Sequence, residues 1–181
     1  MRELSLHILD LIENSIRADA SIISVTIAER PCEDLLEILV EDNGSGFSVS
    51  AEDALNPFYT TKNGKRVGLG LRLFRAAAEQ AGGTVSIERS SLGGVAVRAR
   101  MRLSSIDRKP LGDLAATLSS VVCTNPHLDL WCRLVTPGGE CLVRVCDVAK
   151  ELCASDRCGL AIARKVSERI KKGLVAVQSS V

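Results

Sequence analysis

The chain reads as an α+β protein: a two-layer α/β sandwich, with helices on one face of a mixed, mostly antiparallel sheet, and a small α/β C-terminal appendage. Three observations predict it. Residues 6–18 repeat apolar side chains at helical spacing, and residues 21–28 and 35–40 read as strands. After a long polar stretch, helix and two strands return in the same order over 69–103.

In the opening helix, drawn at about 100° per residue, His7, Asp10, Glu13, Asn14 and Arg17 share one arc, and Leu4, Ile8, Leu11, Ile12 and Ile16 share the opposite one. One arc suits a core and the other suits chemistry. The strand over 21–28 (SIISVTIA) ends at a turn-like stretch over 30–34, and the strand over 35–40 runs straight into Glu41-Asp42-Asn43-Gly44. Residues 48–67 show little periodicity and read as a long loop, a feature that in a compact domain usually carries function. A helix over 69–81 places Leu71, Phe74, Ala78 and Ala81 on one side and stops at Gly82-Gly83. Strands over 84–89 and 95–103 follow, joined by a tight turn at Ser91-Leu92-Gly93-Gly94.

Past about Ser105 the pattern starts afresh, with a helix over 111–122, a hairpin over 128–135 and 140–146, and two further helical stretches, the last over 160–170. This divides the chain into residues 1–105 and an appendage of 106–181.

With 46% hydrophobic and 25% charged residues among 181, the chain has enough apolar side chains for one good core. Its net charge of +1 argues against a dedicated nucleic-acid binder. No apolar run approaches the ~20 residues of a membrane span, and the N-terminus lacks the order of a signal peptide, so a cytoplasmic protein is expected. Seven cysteines, Cys32, Cys123, Cys132, Cys141, Cys146, Cys153 and Cys158, are an odd set in that setting and read as reduced thiols. Cys141, Cys146, Cys153 and Cys158 could in principle ligate a metal, although no CxxC occurs.

Three segments carry candidate chemistry. Asn14 lies one turn after Asp10, so both can point at one cavity. A helical Asn can offer its amide oxygen to Mg²⁺, and Asp10 or Glu13 could hold or deprotonate a water. The same residues also suit the solvated face of an amphipathic helix. Asp42, at a strand end before Gly44 and Gly46, could accept from an adenine amino group while the glycines admit the base closely; a plain Asp-Asn-Gly turn is the alternative. Gly68, Leu69, Gly70 and Leu71 open the second helix, where free N–H groups favour phosphate. Thr61 and Lys62 precede them, and a Lys there can neutralise phosphate charge. Neither a P-loop nor a dinucleotide-binding glycine fingerprint is present.

Together these segments resemble the Bergerat-type ATP-binding fold of gyrase, the heat-shock chaperone, histidine kinases and mismatch-repair ATPases. Asn14 in Ile12-Glu13-Asn14-Ser15 matches the N box; Asp42, Gly44 and Gly46 match the DxGxG box; residues 57–62 (PFYTTK) resemble the lid's F-type stretch; and Gly68-Leu69-Gly70-Leu71 resembles the second glycine box. The resemblance spans roughly residues 2–105. It implies ATP and Mg²⁺ as ligands, with Asn14 on the metal, Asp42 on adenine, and Lys62 with the backbone of 68–71 on phosphate. It also implies that residues 48–67 close over nucleotide. One departure matters: gyrase-like members carry a Glu base four residues before the Asn, where this chain has the shorter Asp10. Glu13 matches an acidic residue that histidine kinases often carry there. Histidine kinases place a dimerising hairpin with a phosphoacceptor His ahead of this domain; none is expected here, and His7 reads as structural.

The stretch over 107–113 (DRKPLGD), with the helix and hairpin after it, more faintly resembles stand-alone ATPases that accompany iron-only hydrogenase proteins. That implies a protein partner, with a redox-enzyme system as the candidate setting. Three functions fit the sequence: a regulator that hydrolyses ATP slowly or uses it to switch a partner, an anti-sigma-factor-type serine kinase, and a non-catalytic nucleotide-binding or scaffold module. Oligomeric state stays open.

Overall fold

The computed structural model describes residues 2–46, 69–152 and 158–179. Its helices are α1 (Leu4–Arg17), α2 (Leu69–Gln80), α3 (Leu114–Thr124), α4 (Val145–Glu151) and α5 (Gly159–Ala176). Its strands are β1 (Ile22–Arg30), β2 (Leu35–Asp42), β3 (Thr84–Arg89), β4 (Val95–Arg102), β5 (Asp129–Thr136) and β6 (Gly139–Arg144). The strands form one sheet in the order β3-β4-β2-β1-β5-β6. Every pairing is antiparallel except β1 with β5, so the sheet is mixed and mostly antiparallel, as the alternation patterns predict.

Strand alternation sends one set of side chains to the helices. Val25 of β1 lies opposite Val40 of β2, which lies opposite Val97 of β4, while Cys132 of β5 sits beside Val25 on the other side. All four are buried and join Leu4, Ile8, Leu11 and Ile12 of α1, Phe74 and Ala78 of α2, Leu118 of α3, and Val166 and Ile170 of α5 in a single cluster. Burial pushes the Cys132 thiol up to about 12, with nearby Cys141 adding to the rise, so at neutral pH it stays protonated.

The strands after residue 105 thus extend the sheet of the first half. The link reaches α1 as well: the N–H groups of Leu4 and Ser5 donate to the carbonyls of Pro110 (2.9 Å) and Leu111 (2.8 Å). Those bonds satisfy donors that a helix start leaves free, and Glu3 supplies no side-chain cap there.

On the opposite face of the sheet, Glu37 gathers Arg98 (2.9 Å), Arg100 (2.7 Å) and Arg30 (4.0 Å). Burial works against the Glu37 charge, but hydrogen bonds from Arg100 and Arg98 outweigh it together and hold the carboxyl below its ordinary value.

Two helix boundaries differ from the sequence pattern. The helix expected over 111–122 begins at Leu114, because Gly112 turns the chain at φ +77° and the Asp113 side chain caps the N–H of Ala116 at 2.8 Å. The helix expected over 160–170 continues to Ala176; a side chain at Gly173 would come within 2.6 Å of Cys141 Sγ, so glycine here makes room for the hairpin. No described helix is long and apolar enough to cross a membrane.

Candidate functional site

Asp42 closes β2 with only 5% of its surface exposed. Its Oδ1 accepts from the N–H groups of Gly44 (3.0 Å) and Val95 (3.1 Å), and its Oδ2 accepts from the Ser15 hydroxyl (2.6 Å). A carboxylate offers about four acceptor positions, so the three donors among the described residues hold this one and leave capacity for another. The backbone crowds the carboxylate as well. A Cβ on Gly94 would fall 2.2 Å from Asp42 Oδ1, and the Gly94 N–H donates to the Asp42 carbonyl at 3.0 Å.

The turn after Asp42 is fastened to both neighbouring elements. Asn43 Oδ1 accepts from the N–H groups of Ser21 and Ile22, both at 2.9 Å, and Ser45 N–H donates to the carbonyl of Ala18 at the end of α1. A Cβ on Gly44 would sit 2.7 Å from that same carbonyl, so glycine at 44 is needed for the protein's own packing. Gly46, at φ +78°, has nothing among the described residues within 4 Å of where a Cβ would stand. Of the two glycines expected to admit a base, Gly46 is the one that no described residue crowds.

Along α1 the polar arc resolves into separate roles. Arg17 donates to Asn14 Oδ1 at 2.7 Å and to Glu13 Oε2 at 3.1 Å, tying the two together at the surface. Asp10 packs on α2: a Cβ on Gly70 would meet Asp10 Oδ2 at 2.6 Å. Burial, with Glu13 nearby, raises the Asp10 carboxyl above its ordinary value. His7 departs from its arc. It is 2% exposed and stacks on Phe74 of α2 with ring centroids 5.4 Å apart, and its Nδ1 has no hydrogen-bond partner among the described residues. Burial first, then the positive charges of the N-terminus and Lys109, lower its pKa to about 4. The contacts His7–Phe74 and Asp10–Gly70 set the two helices antiparallel, so α2 starts beside the middle of α1.

The oxygen donors Asp10, Glu13 and Asn14 suit a hard cation such as Mg²⁺. Among the described residues no cluster of three His, Cys, Asp or Glu is placed to hold a metal by side chains alone, and a Mg²⁺ held through one Asn and a nucleotide's phosphates would need none. Thr61, Lys62, Gly68 and the loop expected over 48–67 lie outside the described residues, as does Cys153. Leu71 is buried in the core, facing inward from the first turn of α2.

The sequence pattern missed Ser15 and Gly94. Ser15 is a polar residue in the middle of the apolar stripe of α1, four after Leu11 and seven after Ile8, and that misplacement was its signal. Gly94 gave none beyond membership of a turn.

The family model for histidine kinase-, DNA gyrase B-, and HSP90-like ATPases matches residues 2–105, more than half of the chain. The chain belongs to that family. Asn14, the Asp42 turn and the start of α2 all fall within the matched residues of this histidine kinase-like ATPase domain. Among solved structures it is similar to the ATP-binding domain of PrrB from Mycobacterium tuberculosis, with 27% identity over 54% of this chain and 64% of that one and a TM-score of 0.41. It is similar to the N-terminal domain of a DNA repair protein at 14% identity, over 79% of this chain and 52% of that one, with a TM-score of 0.51, a likeness of fold. The ADP-complexed MutL ATPase domain of Aquifex aeolicus matches at 15% identity, over 80% of this chain and 63% of that one, with a TM-score of 0.40. The chain therefore spans about half to two thirds of each neighbour's length. A comparison with curated proteins gives no match.

Proposed function

We propose that this histidine kinase-like ATPase is a regulator that hydrolyses ATP slowly, or uses ATP to switch its interaction with a protein partner. The observation that carries the reading is the Asp42 carboxylate: buried, fixed by Ser15, Gly44 and Val95, and, among the described residues, retaining acceptor capacity for a further donor. A carboxylate so held suits recognition of an amino group on a flat base, because its geometry is set before the ligand arrives.

In this reading Asp42 accepts from adenine. Asn14, whose amide oxygen accepts from Arg17, would offer that oxygen to Mg²⁺, and Thr61, Lys62 and the backbone of residues 68–71 would hold phosphates. ATP with Mg²⁺ supplies a phosphoryl group when bound. Asp10, against Gly70 at the start of α2, orients and deprotonates the attacking water, with Glu13 in support. Its raised pKa suits a general base better than an ordinary carboxylate does. Residues 106–181 serve as the partner-facing part of a cytoplasmic protein, with a redox-enzyme system as one candidate partner.

Calorimetric titration with ATP, with and without Mg²⁺, tests the site. Wild type is expected to bind, and Asp42→Ala to lose about ten- to hundredfold in affinity, since an unmade buried hydrogen bond costs about 1–3 kcal/mol. Asn14→Ala should lose most when Mg²⁺ is present. Equal, weak binding by wild type and Asp42→Ala would indicate a non-catalytic module and defeat the proposal. A labelled protein substrate after incubation with radiolabelled ATP and cell extract would favour the serine-kinase alternative.

A further inference from the structure

β6 is the last strand of the sheet, and among the described residues no strand pairs with its outer side. An edge strand presents N–H and C=O groups that can template another strand, and proteins commonly blunt such edges with charged side chains, Pro or a bulge. β6 has neither Pro nor bulge, and its two charges, Glu140 and Arg144, are of opposite sign. Its sequence over Gly139–Arg144 is GECLVR, and it pairs with β5 without interruption from Trp131↔Arg144 to Thr136↔Gly139.

Alternation places Glu140, Leu142 and Arg144 on the face away from the helices, and Cys141 and buried Val143 on the other. Leu142 is 46% exposed, a large aliphatic side chain in the middle of the open edge. Acid, aliphatic and base at successive positions of one face form a self-complementary pattern.

We propose that a second copy of this chain docks here, its β6 antiparallel to the first, with Leu142 opposite the partner's Leu142. A two-fold interface requires that if residue i meets j, then j meets i. Centred on Leu142, the register sets Glu140 opposite the partner's Arg144 and Arg144 opposite the partner's Glu140. Centring on Cys141 or Val143 would set Glu140 or Arg144 opposite a leucine. Both charged groups are already oriented: Arg133 holds Glu140 at 2.7 and 3.0 Å, and the Arg144 guanidinium lies 4.6 Å over the Trp131 ring. The other sheet edge lacks the pattern, since self-pairing of β3 about Ser86 sets Thr84 opposite Glu88. The product is a continuous sheet of two copies with the helices of both on the same side.

Sedimentation velocity of the full chain tests this through charge reversal. Wild type is expected to be a dimer. Glu140→Arg and Arg144→Glu each set like charges opposite across both symmetry-related pairs, and each should weaken dimerisation by about tenfold or more. An equimolar mixture of the two variants should dimerise again, because each cross-strand pair in the mixed dimer carries opposite charges. The double variant should dimerise for the same reason. Hydrogen exchange of wild type gives an independent measure: the β6 amides should gain protection as concentration rises. A monomeric wild type, dimers that ignore the single reversals, a mixture that stays monomeric, or β6 exchange independent of concentration would overturn the proposal.

Discussion

Ser15 donates its hydroxyl to Asp42 over 2.6 Å, joining the residue that follows Asn14 to the carboxylate that ends β2. Two motifs separated by 27 positions are thereby fixed to one another before any ligand arrives. Removing the hydroxyl frees Asp42 Oδ2 without emptying much volume. Ser15→Ala is expected to weaken ATP binding about five- to tenfold, equivalent to about 1 kcal/mol. Calorimetry reads the affinity, and a thermal melt should show a much smaller change than Asp42→Ala produces.

Gly94 backs the same carboxylate. A methyl group there would press on Asp42 Oδ1 and on the Gly44 nitrogen, which would lie 2.7 Å from it. Both are polar groups in a fixed turn, with little room to shift. Gly94→Ala should cost about 1–3 kcal/mol of stability and lower ATP affinity with it. Thermal denaturation and an ATP titration of the same sample measure the two losses.

Asp10 tests the hydrolytic half of the proposal apart from binding. Asp10→Asn keeps the shape against Gly70 but removes the proton acceptor. Turnover measured by phosphate release should fall about a hundredfold or more, while ATP affinity changes little. Turnover equal to wild type would remove Asp10 from the mechanism and leave Glu13 as the remaining acid.

His7 gives a pH signature. Its folded pKa of about 4 lies below the ordinary 6.5. Between those values the unfolded chain takes up a proton that the folded chain refuses, so stability falls as pH drops from 6.5 toward 4 and levels off below. The loss has an upper limit of about 3 kcal/mol. Thermal melts across that range should show a steeper decline for wild type than for His7→Phe.

Most of the fold was legible because its strands are strongly patterned. The runs around Val25, Ile38 and Val97 announce half-buried strands, and Gly82-Gly83 ends α2 as expected. The parallel contact of β5 with β1 was not legible, since it joins segments about a hundred residues apart and no local spacing encodes it. At the site, Asp42 stood out through its strand-end position. Ser15 was hidden because it acts from within the apolar stripe; His7, read as structural, is indeed buried, although angular grouping alone could not tell that α2 covers that side of α1 with Phe74.

The hydrogen bonds from Leu4 and Ser5 to Pro110 and Leu111, with β5 lying along β1, bear on any attempt to excise the nucleotide-binding half. Cutting after residue 105 would strip two amide partners from the root of the Asn14 helix and lay bare one whole flank of β1. Such a fragment should precipitate, or recruit foreign strands to that flank, so work on the ATP chemistry requires the intact polypeptide.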